Sequence, residues 1–217
     1  MTAAEDTPEL RARIVAFCQY LRGVGLFKWT AGNMSVRTTD GLLVTPSDVP
    51  FDQMTADGLC KLSVTAPPDH NAQPRPTSGW AIHQSVMRTR PDVMAVIYAQ
   101  PPFATAVAAQ RRGLEAVHSS IAAFGGATVP LVDYAHFSST SLARDVGRAL
   151  ARRHGCLIAN HGAITVGATL DAAAGRMETL EDLAKVDTYA RISGSPALLS
   201  AEEIAELQLS QSGARRR

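Results

Sequence analysis

The chain has 217 residues, enough to bury a full hydrophobic core. Hydrophobic residues make up 46% and charged residues 19%, a globular composition that excludes a disordered chain. Lysines and arginines number 21 against 20 aspartates and glutamates, so the formal charge of +1 favours neither nucleic acid nor an anionic membrane as partner. No apolar run approaches the roughly 18 residues needed to span a bilayer, and the opening MTAAEDTPEL is acidic where a signal peptide is basic and then apolar. Cys18, Cys60 and Cys156 are odd in number and far apart, which suggests neither a disulfide framework nor a zinc knuckle. The expectation is one reduced, cytoplasmic domain over residues 1–217.

In chain order, Asp6 or Thr7 caps a first helix, Pro8 suits its first turn, and Leu10, Ile14, Phe17, Cys18 and Leu21 form its buried stripe. Gly23 and Gly25 stop it. Two β-rich runs, Asn33–Arg37 and Leu42–Thr45, flank Asp40-Gly41 and read as a hairpin. A third strand is expected near Leu59–Val64, followed by a Pro-rich loop over Thr65–Pro76. The second half alternates: helix Ser78–Arg90, buried strand Val93–Ala99, Ala-rich helix Pro101–Gln110 and strand Thr128–Val132. Helix Ser138–His154, strands at Cys156–Ala159 and Ile164–Val166, and long helix Asp171–Ile192 follow. The tail, Ala201–Arg217, holds a short helix and three terminal arginines that read as a solvated end. A hairpin followed by strand–helix alternation predicts an α/β fold, a mixed sheet covered by helices on both faces.

Several turns offer chemistry. Thr30-Ala31-Gly32-Asn33 combines a glycine, which lets backbone N–H groups approach a ligand, with two polar side chains. Thr45-Pro46-Ser47 ends the hairpin, and Thr77-Ser78 precedes a helix whose free N–H groups favour an anion. Three hydroxyl-bearing turns can converge on one phosphate or carboxylate, although turns and caps select the same residue types anyway. His161, in Asn160-His161-Gly162 between two short strands, is open to a ligand. His83 falls on the apolar side of its helix with Trp80 and Met87, where a structural role is expected. His70, His118, His136 and His154 have no metal-ligand spacing, and there is no Walker loop, G-x-G-x-x-G or G-x-S-x-G.

In order and spacing, these segments resemble the class II aldolase/adducin family. The similarity rests on Gly25-Leu26, Thr30–Arg37, Asp40-Gly41, Thr45-Pro46-Ser47, Arg75-Pro76-Thr77-Ser78 with His83, and Arg90-Pro91-Asp92. It continues through Ala123-Phe124-Gly125-Gly126 and Asn160-His161-Gly162-Ala163 with Gly167, and so covers nearly the whole chain. The resemblance implies a three-layer αβα fold around a mixed, largely antiparallel sheet. It also implies a homotetramer with active sites at subunit interfaces. Its enzymes cleave or rearrange sugar phosphates with a divalent metal, usually zinc, held by one Glu and three His, which stabilises an enediolate.

Residue by residue, the carry-over is incomplete. The ligand Glu position is Gly79, the His-x-His at the end of the apolar strand reads Tyr98-Ala99-Gln100, and only His161 remains as a ligand. The catalytic Tyr position is Ser119; Asp48 and Trp29 stand where small residues are common. One imidazole, a phenol and a carboxamide do not make a zinc site, so zinc is not expected to bind. An ionised Asp48 is expected to oppose a phosphate dianion, partly offset by Lys28.

Two readings follow. One is a metal-independent enzyme of enolate chemistry (lyase, decarboxylase, dehydratase or isomerase) acting on a small hydroxy- or oxo-acid. Thr30, Asn33, Ser47, Thr77 and Ser78 would hold the substrate, His161 would move the proton, and Tyr98 or Gln100 would hold an oxyanion. The other is a non-catalytic, adducin-like scaffold or the partner subunit of an active paralogue. An ordinary zinc aldolase would require His83, His118 or His136 to reach the metal.

Overall fold

The computed structural model describes residues 3–69 and 71–214; His70 and Arg215–Arg217, singled out in the sequence, lie outside the described residues. The chain forms α1 (Pro8–Gly23), β1 (Asn33–Thr38), β2 (Gly41–Val44), β3 (Cys60–Leu62), α2 (Trp80–Thr89), β4 (Ala95–Ala99) and α3 (Pro102–Ala109). There follow a 3-10 helix (Ser119–Phe124), β5 (Leu131–Val132), α4 (Thr140–Ala149), β6 (Gly155–Ile158), β7 (Gly162–Gly167), α5 (Leu170–Ile192) and α6 (Ala201–Ala214).

Local chemistry sets most boundaries. The Thr7 hydroxyl accepts from the Leu10 N–H at 3.2 Å and starts α1, while Asp6 instead grips the Arg11 guanidinium. Ser139 and Thr169 cap α4 and α5 in the same way. The β1–β2 hairpin closes with Thr38 opposite Gly41, as the Asp-Gly predicts. Helix α4 is shorter than its apolar pattern suggests and ends at Ala149. The Arg90 side chain bonds the Leu150 and Arg153 carbonyls, satisfying groups that another helical turn would use. The tail helix, in contrast, is longer than expected. The 3-10 helix carries too few residues for a periodic signal and was not predicted.

The strands form one sheet in the order β3-β2-β1-β4-β7-β6-β5, with only β5 and β6 parallel. Alternation along β4 divides the core. Ala95, Ile97 and Ala99 face a layer containing α1, α3 and α5, with Ile14, Val107, Met177 and Leu180 among its buried side chains. Val96 and Tyr98 face α2 and α4 through Ile82, Val86, Leu142 and Val146. Each of the Val, Leu, Ile and Met side chains among them contributes about 1.5–3 kcal/mol on burial. The outcome is the three-layer α/β architecture with a largely antiparallel sheet, and it brings the C-terminal end of β4, the start of β7 and the N-terminus of α2 together. Among the described residues no helix is long and apolar enough to cross a membrane.

Candidate functional site

A cleft of about 250 Å³ opens at that junction. It is lined by Thr30, Asn33, Ser47, Thr77, Ser78, Tyr98, Gln100 and His161, together with Ala31, Gly32, Pro46, Asp48 and Phe137. Every site residue named from the sequence therefore meets in one place, although those residues come from five separate turns and strand ends. A larger groove of about 530 Å³ lies between α2 and α4, away from this set, and is lined largely by helix-surface side chains such as Arg88, Arg144 and Arg148.

The turns are held by their own hydrogen bonds. Thr77 Oγ1 accepts from Gly79 N at 3.3 Å, and the Ser47 hydroxyl donates to Pro76 O at 3.0 Å, so both side chains shape the entrance to α2. Thr30 and Ser78 are exposed. Asn33, the first residue of β1, is buried, with its Oδ1 2.7 Å from His83 Nε2. His83 also lies 2.8 Å from Ser35 Oγ, is 1% exposed, and has its pKa pushed down to about 3 by burial.

At the other end of the cleft, Gly162 starts β7 with φ 151°; a Cβ there would lie 2.3 Å from Ala99 O, so only glycine lets β7 meet β4 this closely. That approach seats His161 beside Tyr98. The Tyr98 hydroxyl donates to His161 O at 3.1 Å and accepts from Gln100 Nε2 at 3.0 Å. Burial raises the Tyr98 pKa, which keeps the phenol neutral. His161 Nε2 lies 2.8 Å from Ala135 O, which can only accept, so Nε2 carries a proton and the neutral form of the ring has its lone pair on Nδ1. The imidazole stacks on Tyr134, 5.0 Å between centroids and 9° between planes, with Phe137 5.6 Å away.

Phe137 occupies the centre of this end. Its ring is 4.6 Å from that of Tyr98, and a Cβ built on Gly79 would lie 2.9 Å from Phe137 Cε1. Positions 79, 98 and 161, three of the four carried-over metal positions, thus surround one aromatic ring. Among the described residues no group of three or more His, Cys, Asp or Glu side chains is placed to share a metal ion. His118 and His136 bond Ser120 and Ser138 and do not line the cleft, nor does His83. Of positions 79, 98, 100 and 161, only His161 carries an imidazole, thiolate or carboxylate. Phe137 and Tyr134 were missed from the sequence; the signal was two aromatics in four loop residues of a chain with only 6% aromatic content.

The two odd substitutions in the cradle have a backbone counterpart. Trp29 has φ 52° and Asp48 φ 62°, the left-handed region that glycine enters freely. Asn160, which precedes His161, has φ 58°. Among the described residues, three of the four non-glycine residues with positive φ thus border the cleft, a concentration of strain expected at functional sites. Asp48 does not behave as the sequence suggested. Its side chain is 78% exposed and lies 3.2 Å from the Arg75 guanidinium, so Arg75 rather than Lys28 offsets its charge. An exposed, paired carboxylate repels a bound anion far less than a dehydrated one.

Comparison with known proteins agrees with this fold. Residues 12–188 match the family model described as Class II Aldolase and Adducin N-terminal domain. The chain is 34% identical over 198 residues to an L-fuculose phosphate aldolase of Escherichia coli (strain CFT073), covering 91% of each chain. It is 33% identical over 195 residues to a 5-methylthioribulose-1-phosphate/5-deoxyribulose-1-phosphate aldolase of Rhodospirillum rubrum, covering 90% of this chain and 87% of that one. Among solved structures, an L-fuculose 1-phosphate aldolase superposes with a TM-score of 0.90 at 27% identity, over 95% of this chain and 97% of the other. The chain belongs to the class II aldolase and adducin family.

Proposed function

We propose that this family member binds a small anionic hydroxy or oxo compound and forms its enolate with protein groups alone, the usual zinc-dependent sugar-phosphate cleavage being lost or altered. The observation that carries the reading is the convergence of the polar turns, the N-terminus of α2 and a tautomer-fixed His161 on one small cleft. At about 250 Å³ the cleft lies below the usual ~300–1,000 Å³ of drug-sized sites, which suits a substrate of few heavy atoms.

In this reading the hydroxyls of Thr30 and Ser78 and the amide of Asn33 hold a phosphate or carboxylate near the α2 N-terminus. His161 Nδ1 takes a proton from the carbon next to a carbonyl, and the Ala135 carbonyl steadies the imidazolium that results. The Tyr98 proton is committed to His161 O, so the enolate oxygen falls to Gln100, whose amide has a second N–H beyond the one given to Tyr98. Carbon–carbon cleavage, decarboxylation, dehydration and isomerisation all proceed from such an enolate. A reduced, cytoplasmic setting and a homotetramer with the cleft at a subunit boundary belong to the same proposal; the exposed Trp29 at the rim, 80% accessible, supports the latter.

The test is exchange of the hydrogen next to the carbonyl in D2O, followed by proton NMR over a panel of 2-oxo acids, 2-hydroxy acids and hydroxyketone phosphates. Exchange with at least one compound, lost in His161→Ala, supports the reading; no exchange with any compound contradicts it. A second reading, a non-catalytic scaffold or partner subunit, is favoured by one observation: Tyr98, Gln100 and His161 already satisfy one another and Ala135. It predicts no exchange and a stable complex with a paralogous chain.

A further inference from the structure

We propose that His83 is a positioning residue: it turns the Asn33 carboxamide so that its N–H groups, not its oxygen, face the cleft. The inference rests on the anion reading above and names the group that gives the cleft its donor character.

The assignment follows from donors and acceptors along one buried row. Ser35 is fully buried, and its hydroxyl has a single hydrogen-bond partner among the described residues, His83 Nδ1 at 2.8 Å. A buried O–H with one available partner donates to it, since an orphaned donor costs more than an unused lone pair. Nδ1 therefore accepts, and the neutral ring carries its proton on Nε2. Nε2–H then donates to the atom 2.7 Å away, which must be the Asn33 oxygen. The Asn33 nitrogen is left facing the cleft, near the point where a Gly79 Cβ would stand, 3.6 Å from it. The opposite tautomer would reverse every bond, present a carbonyl oxygen to the cleft and repel an anion. No charged side chain among the described residues bonds the ring, and burial keeps it neutral through the physiological range. The cleft's preference for anions is thus set one layer beneath its surface, on α2.

The experiment uses the full chain with inorganic phosphate and pyruvate as probes, read by titration calorimetry, and nitrogen-15 NMR of the His83 ring. Glutamine places an amide near Nε2 and asparagine near Nδ1, so His83→Gln keeps the bond to Asn33 while His83→Asn keeps only the bond to Ser35. Each loses one buried hydrogen bond, so similar denaturation midpoints are expected. His83→Gln retains phosphate affinity within about threefold, whereas His83→Asn loses about tenfold or more. Ser35→Ala, which removes only the hydroxyl oxygen, gives a mixed ring tautomer and weaker binding. The wild-type ring shows a protonated Nε2 and a bare Nδ1. A protonated Nδ1, or equal phosphate affinity in the two His83 variants, overturns the proposal. Should wild-type protein bind neither probe, the anion reading of the cleft fails, and the ring tautomer alone upholds or overturns the orientation of Asn33.

Discussion

Gly79 and Phe137 form a pair whose coupling can be measured. Gly79 has φ −81° and ψ 4°, a backbone that alanine adopts without strain. Substituting Gly79→Ala at such a position by itself stabilises by about 0.4–1 kcal/mol, through the unfolded chain. Here the new methyl would stand 2.9 Å and 3.1 Å from Phe137 Cε1 and Cζ, both well inside van der Waals contact. Overpacking of this kind costs about 1–3 kcal/mol, so the net expected for Gly79→Ala is a loss of about 1–2 kcal/mol. With Phe137→Ala present the obstruction is gone, and adding Gly79→Ala becomes neutral or stabilising. The coupling energy is then about 1–3 kcal/mol, read from urea unfolding of wild type, both single variants and the double variant at constant m value. Additivity within about 0.5 kcal/mol would refute the claim that the ring fills the space beside position 79.

Restoring the carried-over ligands with Gly79→Glu, Tyr98→His and Gln100→His is expected to create zinc binding, tighter when combined with Phe137→Ala; calorimetry showing no uptake in either background would contradict the assigned positions. His83 makes stability depend on pH. Its folded pKa of about 3 lies below the unfolded value near 6.5, so the unfolded chain binds the extra proton and stability falls as pH drops below about 6.5. Between about pH 6.5 and 5, above the carboxylate range, the slope approaches 1.4 kcal/mol per unit and disappears in His83→Gln. Trp29→Gly relieves a left-handed backbone worth about 1–2 kcal/mol and returns part of it as chain entropy, so a gain of up to ~1 kcal/mol is expected, against none for Trp29→Ala.

Much of the fold was legible because its signals are local. The Asp-Gly hairpin, the cap at Thr7 and the apolar run of β4 each depend on a few neighbouring residues, and the structure keeps them. Helix α4 overran its true end in the sequence because Arg90, distant in the chain, takes the carbonyls of Leu150 and Arg153. The cleft residues were legible as a set through their order along the chain, which tracks the topology that gathers them. Their individual roles were not. Nothing near Asp48 in sequence marks Arg75 as its partner, and nothing near Gly79 marks Phe137 as its neighbour. His83 read as an apolar-face residue because periodicity reports burial and is blind to what a buried ring is bonded to.

The proposed function requires that Phe137, Tyr98 and Gln100, with their own contacts, hold the place that the family resemblance assigns to a metal ion. Elemental analysis of untagged protein, expressed with added zinc and then desalted, addresses it without reference to any substrate. Zinc far below one ion per chain, unchanged in His161→Ala, is the result expected. One tightly held ion per chain that disappears in His161→Ala would contradict the claim.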